Sequence, residues 1–158
     1  MGLGVTFMML SAAVASPTAS PRLILSVEKG TRGTIAVRVE NVSGQRMALA
    51  ARTYLALSRA TGEGTQEPAY WAEVNTSRLP QPSAPLSLAG KQRIEVRLDL
   101  RSLFWTPDRS GMTAGHTLAR GVPPGEYELQ LQITDERGAW WRSGGLTLKV
   151  LPSGGLTF

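Results

Sequence analysis

Between Val122 and Gly138 one pattern narrows the fold more than anything else in the chain. Pro123-Pro124-Gly125 breaks the preceding structure, and Glu126-Tyr127-Glu128-Leu129-Gln130-Leu131-Gln132-Ile133 then alternates polar and apolar residues without a fault. Asp135-Glu136-Arg137-Gly138 closes the run with turn-forming residues. A period of two is the period of a strand, whose successive side chains leave opposite faces. The pattern therefore predicts a strand with Tyr127, Leu129, Leu131 and Ile133 on a core. Glu126, Glu128, Gln130 and Gln132 fall on the other face, which the alternation places in water, as in an antiparallel sheet covered on one side.

Similar runs recur along the chain. Leu23 to Glu28 places Leu23, Leu25 and Val27 on one side, and Thr34 to Asn41 alternates Ile35, Val37 and Val39 with Ala36, Arg38 and Glu40. Met47 to Ser58 predicts a long strand, bent or bulged, and Ala69 to Val74 a short aromatic one. Gln92 to Leu100 gives a clean strand with Ile94, Val96, Leu98 and Leu100 inward, and Gly145 to Leu151 gives the last. Turns such as Gly30-Thr31-Arg32-Gly33 and Asn41-Val42-Ser43-Gly44 separate them, using side chains that bond locally to backbone and glycines free to take positive φ. Leu79-Pro80-Gln81-Pro82-Ser83-Ala84-Pro85 cannot pair in a sheet, because proline lacks the N–H donor, and is expected to cross between sheets. Leu103 and Trp105 are expected to continue the preceding strand as a helical turn, and Thr106 to Pro124 to form a long loop. Seven or eight short strands with no helical period predict an all-β antiparallel sandwich.

The 158 residues fit one domain with a core of its own. Cysteine is absent, which excludes thiol catalysis, Cys-based zinc sites and a lipoprotein anchor. The net charge of +5 comes from 14 Arg and 3 Lys against 12 acids, but the arginines are spread from Arg22 to Arg142 and interleave with acids. Nucleic-acid binders concentrate their charge on one face, so this distribution predicts a solvated mixed-charge surface and no nucleic-acid partner.

Residues 1–21 carry no charged side chain. Gly4 to Val14 is largely apolar, and Ala13-Val14-Ala15 supplies a small-x-small cleavage pattern before Ser16. This predicts a signal peptide over residues 1–15, a linker over 16–22, the sandwich over 23–151 and a flexible tail over 152–158. It also predicts export to the periplasm or the extracellular space. The neutral Met1-Gly2-Leu3-Gly4 departs from the usual basic start of such a peptide. No later stretch is apolar for long enough to span a bilayer.

Three motifs, Asn41-Val42-Ser43-Gly44, Leu86-Ser87-Leu88-Ala89-Gly90 and Pro124-Gly125-Glu126-Tyr127, occur in an order that resembles immunoglobulin-like domains of secreted bacterial proteins. More distantly, the order is similar to the BsuPI-type proteinase-inhibitor fold. The resemblance covers most of residues 23–151. It implies an immunoglobulin-like antiparallel β-sandwich of seven to eight strands, and it speaks to function only by analogy.

The sequence offers no catalytic set. Its one histidine, His116, lies in the long loop with Asp108 nearby, where a solvated side chain is a better reading than a general base. There is no Gly-x-Ser-x-Gly elbow, no zinc ligand set, no phosphate-binding Gly loop, and only an isolated Asp135-Glu136 pair for calcium. No enzyme activity, metal or cofactor is therefore expected. The aromatic groups Tyr70-Trp71, Phe104-Trp105 and Trp140-Trp141 are the better lead. Neighbours on a strand face opposite ways, so one of Trp140 and Trp141 should be exposed. Exposed tryptophans on a sandwich act as sugar platforms or protein hot spots, although capping the core is the other use for them. The candidate contact residues are Trp71, Trp105, Asp108, Arg109, His116, Trp140, Trp141 and Arg142. Together they predict a non-enzymatic exported module that binds a protein or a cell-surface polysaccharide. A secreted proteinase inhibitor and a carbohydrate-binding module are the alternatives.

Overall fold

The computed structural model describes residues 22–60, 67–74, 86–109, 114–135, 138 and 140–158. The expected signal peptide, most of the linker, the proline-rich crossing at 79–85 and the acid Glu136 lie outside the described residues. The strands are β1 (Leu23–Lys29), β2 (Thr34–Asn41), β3 (Met47–Arg59), β4 (Tyr70–Glu73), β5 (Leu86–Leu88) and β6 (Arg93–Asp99). They continue as β7 (Phe104–Trp105), β8 (His116–Thr117), β9 (Gly125–Asp135), β10 (Trp140–Arg142), β11 (Leu146–Val150) and β12 (Leu156–Thr157). A 3₁₀ turn spans Leu100–Ser102, and one helical turn, α1, spans Leu118–Gly121.

The chain is all-β, and every pairing between strands is antiparallel. The smaller sheet has the order β1-β2-β6. The larger runs β12-β11-β9-β3-β4, with β10 also on β9 and β5 also on β3. Leu23, Leu25, Ile35, Val37 and Val39 of the smaller sheet join Leu55, Leu57, Tyr127, Leu129, Leu131, Ile133, Leu148 and Val150 of the larger in one core. Each such side chain contributes roughly 1.5–3 kcal/mol of transfer free energy. A residual gap of about 20 Å³ separates the sheets between Val37, Val39, Ile94 and Val96 on one side and Thr53, Val74, Leu131 and Ile133 on the other. Thr53 is its one polar lining side chain, too little to hold a water against apolar walls.

Several expectations change in the folded chain. The strands are more numerous than seven or eight because some are fragments. The last strand, expected from Gly145 to Leu151, is preceded by a separate short one, β10, and between β10 and β11 Ser143 N–H donates to Leu131 O (3.0 Å) and Ser143 Oγ accepts from Leu131 N–H (2.9 Å). A hydroxyl thus replaces a ladder carbonyl at a bulge. The bulge expected in β3 is present as a register shift against β9 between Leu49 and Thr53. Trp105 belongs to a strand, not to a helical turn, and the 3₁₀ turn precedes it. The long loop is partly folded, since His116 pairs with Trp105, Thr117 with Phe104, and Leu118 of α1 is buried. Two-residue strands have no period to detect. The segment after β11 folds back on the sheet. Gly154 takes φ +77°, Leu151 N–H donates to Gly155 O (2.9 Å), and β12 returns to pair with β11.

The largest difference concerns β9. Its inward residues are buried as the alternation requires, but the opposite face is not a plain wet surface. Gln132 retains 2% of its accessible area although its cross-strand partner Tyr54 is only half-buried, and Ala56 and Ser58, further along the same face of β3, retain 0% and 8%. Alternation shows which residues leave the core. It carries no information on what the rest of the chain lays over them.

Candidate functional site

Cross-strand partners share a face, so the register assigns every aromatic residue of the larger sheet to a side. Trp141 stands opposite Ile133 and points to the core, where it is half-buried. Trp140 stands opposite Thr134, and Arg142 opposite Gln132, so both lie on the outer face. Trp71 stands opposite Ala56, which in turn faces Gln130, so Trp71 is on this outer face too, on edge strand β4. Trp140 is 40% exposed and Arg142 is exposed. The expected split between Trp140 and Trp141 follows from this register.

The segment after β7 connects the two sides of that face. Thr106 forms a bridge to Trp71, with Trp71 N–H donating to Thr106 O (2.8 Å) and Thr106 N–H to Trp71 O (2.9 Å). Thr106 Oγ1 donates to Asp108 O and accepts from Asp108 N–H (3.2 and 3.1 Å), which tightens the turn that follows. Three residues beyond Thr106, the Arg109 guanidinium lies 4.4 Å from the centroid of the Trp140 ring. Since β3 and β9 separate β4 from β10, residues 106–109 cross the outer face, tied to Trp71 at one side and stacked on Trp140 at the other. A cation over an indole face contributes roughly 0.5–1 kcal/mol at an exposed site, and more when desolvated.

The structure thus brings Trp71, Asp108, Arg109, Trp140 and Arg142 to one face of the larger sheet. Trp105 and His116 stand apart. Trp105 has no exposed surface, and its indole donates to Leu100 O (3.1 Å), which makes it a core residue with nothing to offer a ligand. His116 is exposed on β8 beside Gly121. Next to it Phe104, 65% exposed, is the barest large apolar side chain among the described residues, and the sequence did not mark it as a contact candidate. Trp71 Nε1 and Gln132 Nε2, both on the outer face, are buried donors with no hydrogen-bond partner among the described residues. An unpaired buried donor costs about 1–3 kcal/mol, so such atoms mark places where an acceptor would be welcome. Gln130 avoids this by donating to Glu128 Oε1 (2.9 Å).

Among the described residues no three acidic or histidine side chains are grouped to hold a metal ion. No described helix is long and apolar enough to cross a membrane. No protein-family model matches the chain, and no curated protein matches it in sequence. Among solved structures it aligns with a Bordetella pertussis protein provisionally named ApaA. The two are 14% identical over 83% of this chain and 94% of that one, with a TM-score of 0.36. The likeness is one of β-rich architecture.

Proposed function

We propose that this chain is an exported, non-enzymatic binding module of immunoglobulin-like sandwich architecture, which recognises a partner protein through the outer face carrying Trp140 and Arg109. Support for the architecture comes from Tyr127. Near the start of β9 its hydroxyl donates to Pro123 O (2.8 Å), four residues upstream, while its ring meets Tyr70 edge-on at 6.2 Å. A tyrosine bonding back to the backbone at the start of a strand is the corner device of immunoglobulin-like domains. The motifs around Asn41 and Gly90 also meet. Lys91 N–H donates to Ser43 O (3.1 Å), and a Cβ on Gly90 would lie 2.5 Å from the Gly44 carbonyl oxygen.

The functional reading rests on the Arg109–Trp140 stack. Tryptophan and arginine concentrate binding energy in protein interfaces, and Arg142 adds a second cation two residues from Trp140 on the same face. A sugar platform needs a bare indole face for the sugar C–H groups, and Arg109 already covers one face of this ring. That favours a protein partner over a polysaccharide. The test compares the native chain with Trp140→Ala and Arg109→Ala, each checked for an unchanged circular dichroism spectrum. Immobilised protein is exposed to cell-envelope extract of the native host and to polysaccharide columns. A protein retained by the native chain and lost with both variants supports the reading. Equal retention by all three refutes it, and retention on polysaccharide alone assigns the face to a polymer instead. Mass spectrometry of the N-terminus from the native host tests export, with cleavage after Ala15 as the expected result.

A further inference from the structure

The smaller sheet ends at β6, whose outer side pairs with no other described strand. Which backbone groups face that side follows from the ladder. Asn41 N–H donates to Gln92 O (2.9 Å) and Leu100 N–H to Gly33 O (3.1 Å), at the two ends of a register that sets Val37 opposite Val96. Antiparallel partners exchange hydrogen bonds at every second residue. Ile94, Val96 and Leu98 therefore direct their backbone groups to β2. Arg93, Glu95, Arg97 and Asp99 direct theirs away from the sheet, and of these the Asp99 carbonyl is met by Ser102 Oγ (2.8 Å).

The side chains of the same strand are self-complementary. Read as Arg93-Ile94-Glu95-Val96-Arg97-Leu98-Asp99, the strand laid antiparallel on itself about Val96 sets Arg93 against Asp99 and Glu95 against Arg97, with Ile94 against Leu98 on the inner face. Moving the centre by one residue in either direction sets Glu95 on Glu95 or Arg97 on Arg97 and also puts like charges at the flanking pairs, a destabilising arrangement. A centre between two residues would pair inward with outward side chains. The Val96 centre also pairs Glu95 with Arg97 through the backbone groups that face outward. The central charges are the available ones. Arg93 and Arg97 have no ion pair among the described residues, and both Arg38 bonds to Glu95 end on Oε2 (3.0 and 3.3 Å), whereas Asp99 is already bonded through both oxygens to Arg101, so the two Glu95–Arg97 pairs carry the complementarity. Ile94 and Val96 are only half-buried beside the gap between the sheets.

We propose that a second copy of this chain adds its β6 antiparallel to this edge, about a two-fold axis through Val96, joining the two smaller sheets into one of six strands. The two-fold makes the contact isologous, so it closes on a dimer and does not propagate. A seven-residue edge buries less than a standard interface, and the dimer is accordingly weak, with a dissociation constant on the order of micromolar or higher.

Sedimentation equilibrium of the purified chain up to about 1 mM reads the association. Arg97→Glu alone and Glu95→Arg alone each place like charges opposite one another twice, and each should weaken the dimer by roughly tenfold or more. An equimolar mixture of the two variants restores opposite charges at both positions and should dimerise as the native chain does. A native chain monomeric throughout, association indifferent to either variant, or a mixture of folded variants that stays monomeric would overturn the proposal. Hydrogen exchange on the native chain needs no variant, and it decides the matter should a variant fail to fold. Raising the concentration should protect the Glu95 and Arg97 amides and leave Val96, already bonded to β2, unchanged. Equal behaviour of the three amides would also overturn it.

Discussion

Asn41 closes the end of β2, and replacing it tests how the two sheets are tied there. It has no exposed surface. Its Nδ2 donates to Gln45 O (2.7 Å), Ala89 O (3.1 Å) and Leu88 O (3.2 Å), and its Oδ1 accepts from Ser43 N–H (3.0 Å) and Ser43 Oγ (2.7 Å). The amide has two protons for three carbonyls, so one is shared. Asn41→Ala removes the whole set and strands buried groups that water reaches poorly. At about 1 kcal/mol for each net bond, with a further penalty for orphaned partners, the cost is about 3–5 kcal/mol. That is a large part of the roughly 5–15 kcal/mol that holds a domain together. Urea unfolding should show the midpoint falling by about 2 M for a slope near 2 kcal/mol/M, with the slope unchanged. Asn41→Asp keeps the acceptor but turns a carboxylate oxygen toward three carbonyls. Burial and those dipoles raise its folded pKa above the ordinary carboxylate value of about 3.9. The variant is then most stable below that value and loses stability as the pH rises through the raised one, a dependence the native residue does not add. A loss under about 1 kcal/mol for Asn41→Ala, or an Asn41→Asp profile parallel to the native one, would refute the tie.

Other substitutions discriminate more narrowly. Tyr127→Phe deletes the bond to Pro123 O, together with the hydroxyl's weaker interaction with Arg59, and should cost about 1 kcal/mol in the same assay; a loss above about 3 kcal/mol would mean the hydroxyl does more than close the corner. Gly90→Ala drives a Cβ onto the Gly44 backbone, for about 1–3 kcal/mol, whereas Gly145→Ala first meets the Glu128 side chain, which can turn away at the expense of the bond it accepts from Gln130. Equal losses for the pair, measured by thermal unfolding, would contradict that contrast. The Arg101 guanidinium, bonded to both oxygens of Asp99, holds that carboxyl below its ordinary value. Its contribution is present above pH ~4 and lost as the pH falls through the depressed value. Arg101→Ala should therefore flatten only the acid limb of a stability–pH profile, and modestly, since the pair is largely exposed.

The alternation in β2, β6 and β9 was enough to identify strands and their core sides, because burial on one face writes a period of two into the sequence. The same signal misjudged Gln132. An outward residue looks alike whether water or another stretch of chain lies above it. Trp105 was a contact candidate on chemistry alone, and only the fold shows its indole turned inward to Leu100. The meeting of Arg109 with Trp140 left no trace in spacing or composition, since the turn after Thr106 and strand β10 are brought together by the strands between them. Asn41 was legible as a turn residue through its bond to Ser43, but not its reach to Leu88 and Ala89.

The β3–β9 ladder has a further consequence, for the order in which the chain assembles. β1 and β2 are joined by a tight turn and find each other locally. β3 must wait for β9, and everything from Ala60 to Glu126 lies between their facing ends, where Ala60 N–H donates to Glu126 O (3.0 Å). Pairings of such long range are the slow ones, because loop closure costs entropy before any contact repays it. Until that ladder closes, the inner faces of β2 and β6 have nothing to pack against. By sequence separation alone the β1–β2 hairpin is the pairing favoured early and the β3–β9 ladder the one favoured late, so the half-core on the smaller sheet is expected to wait longest for its cover.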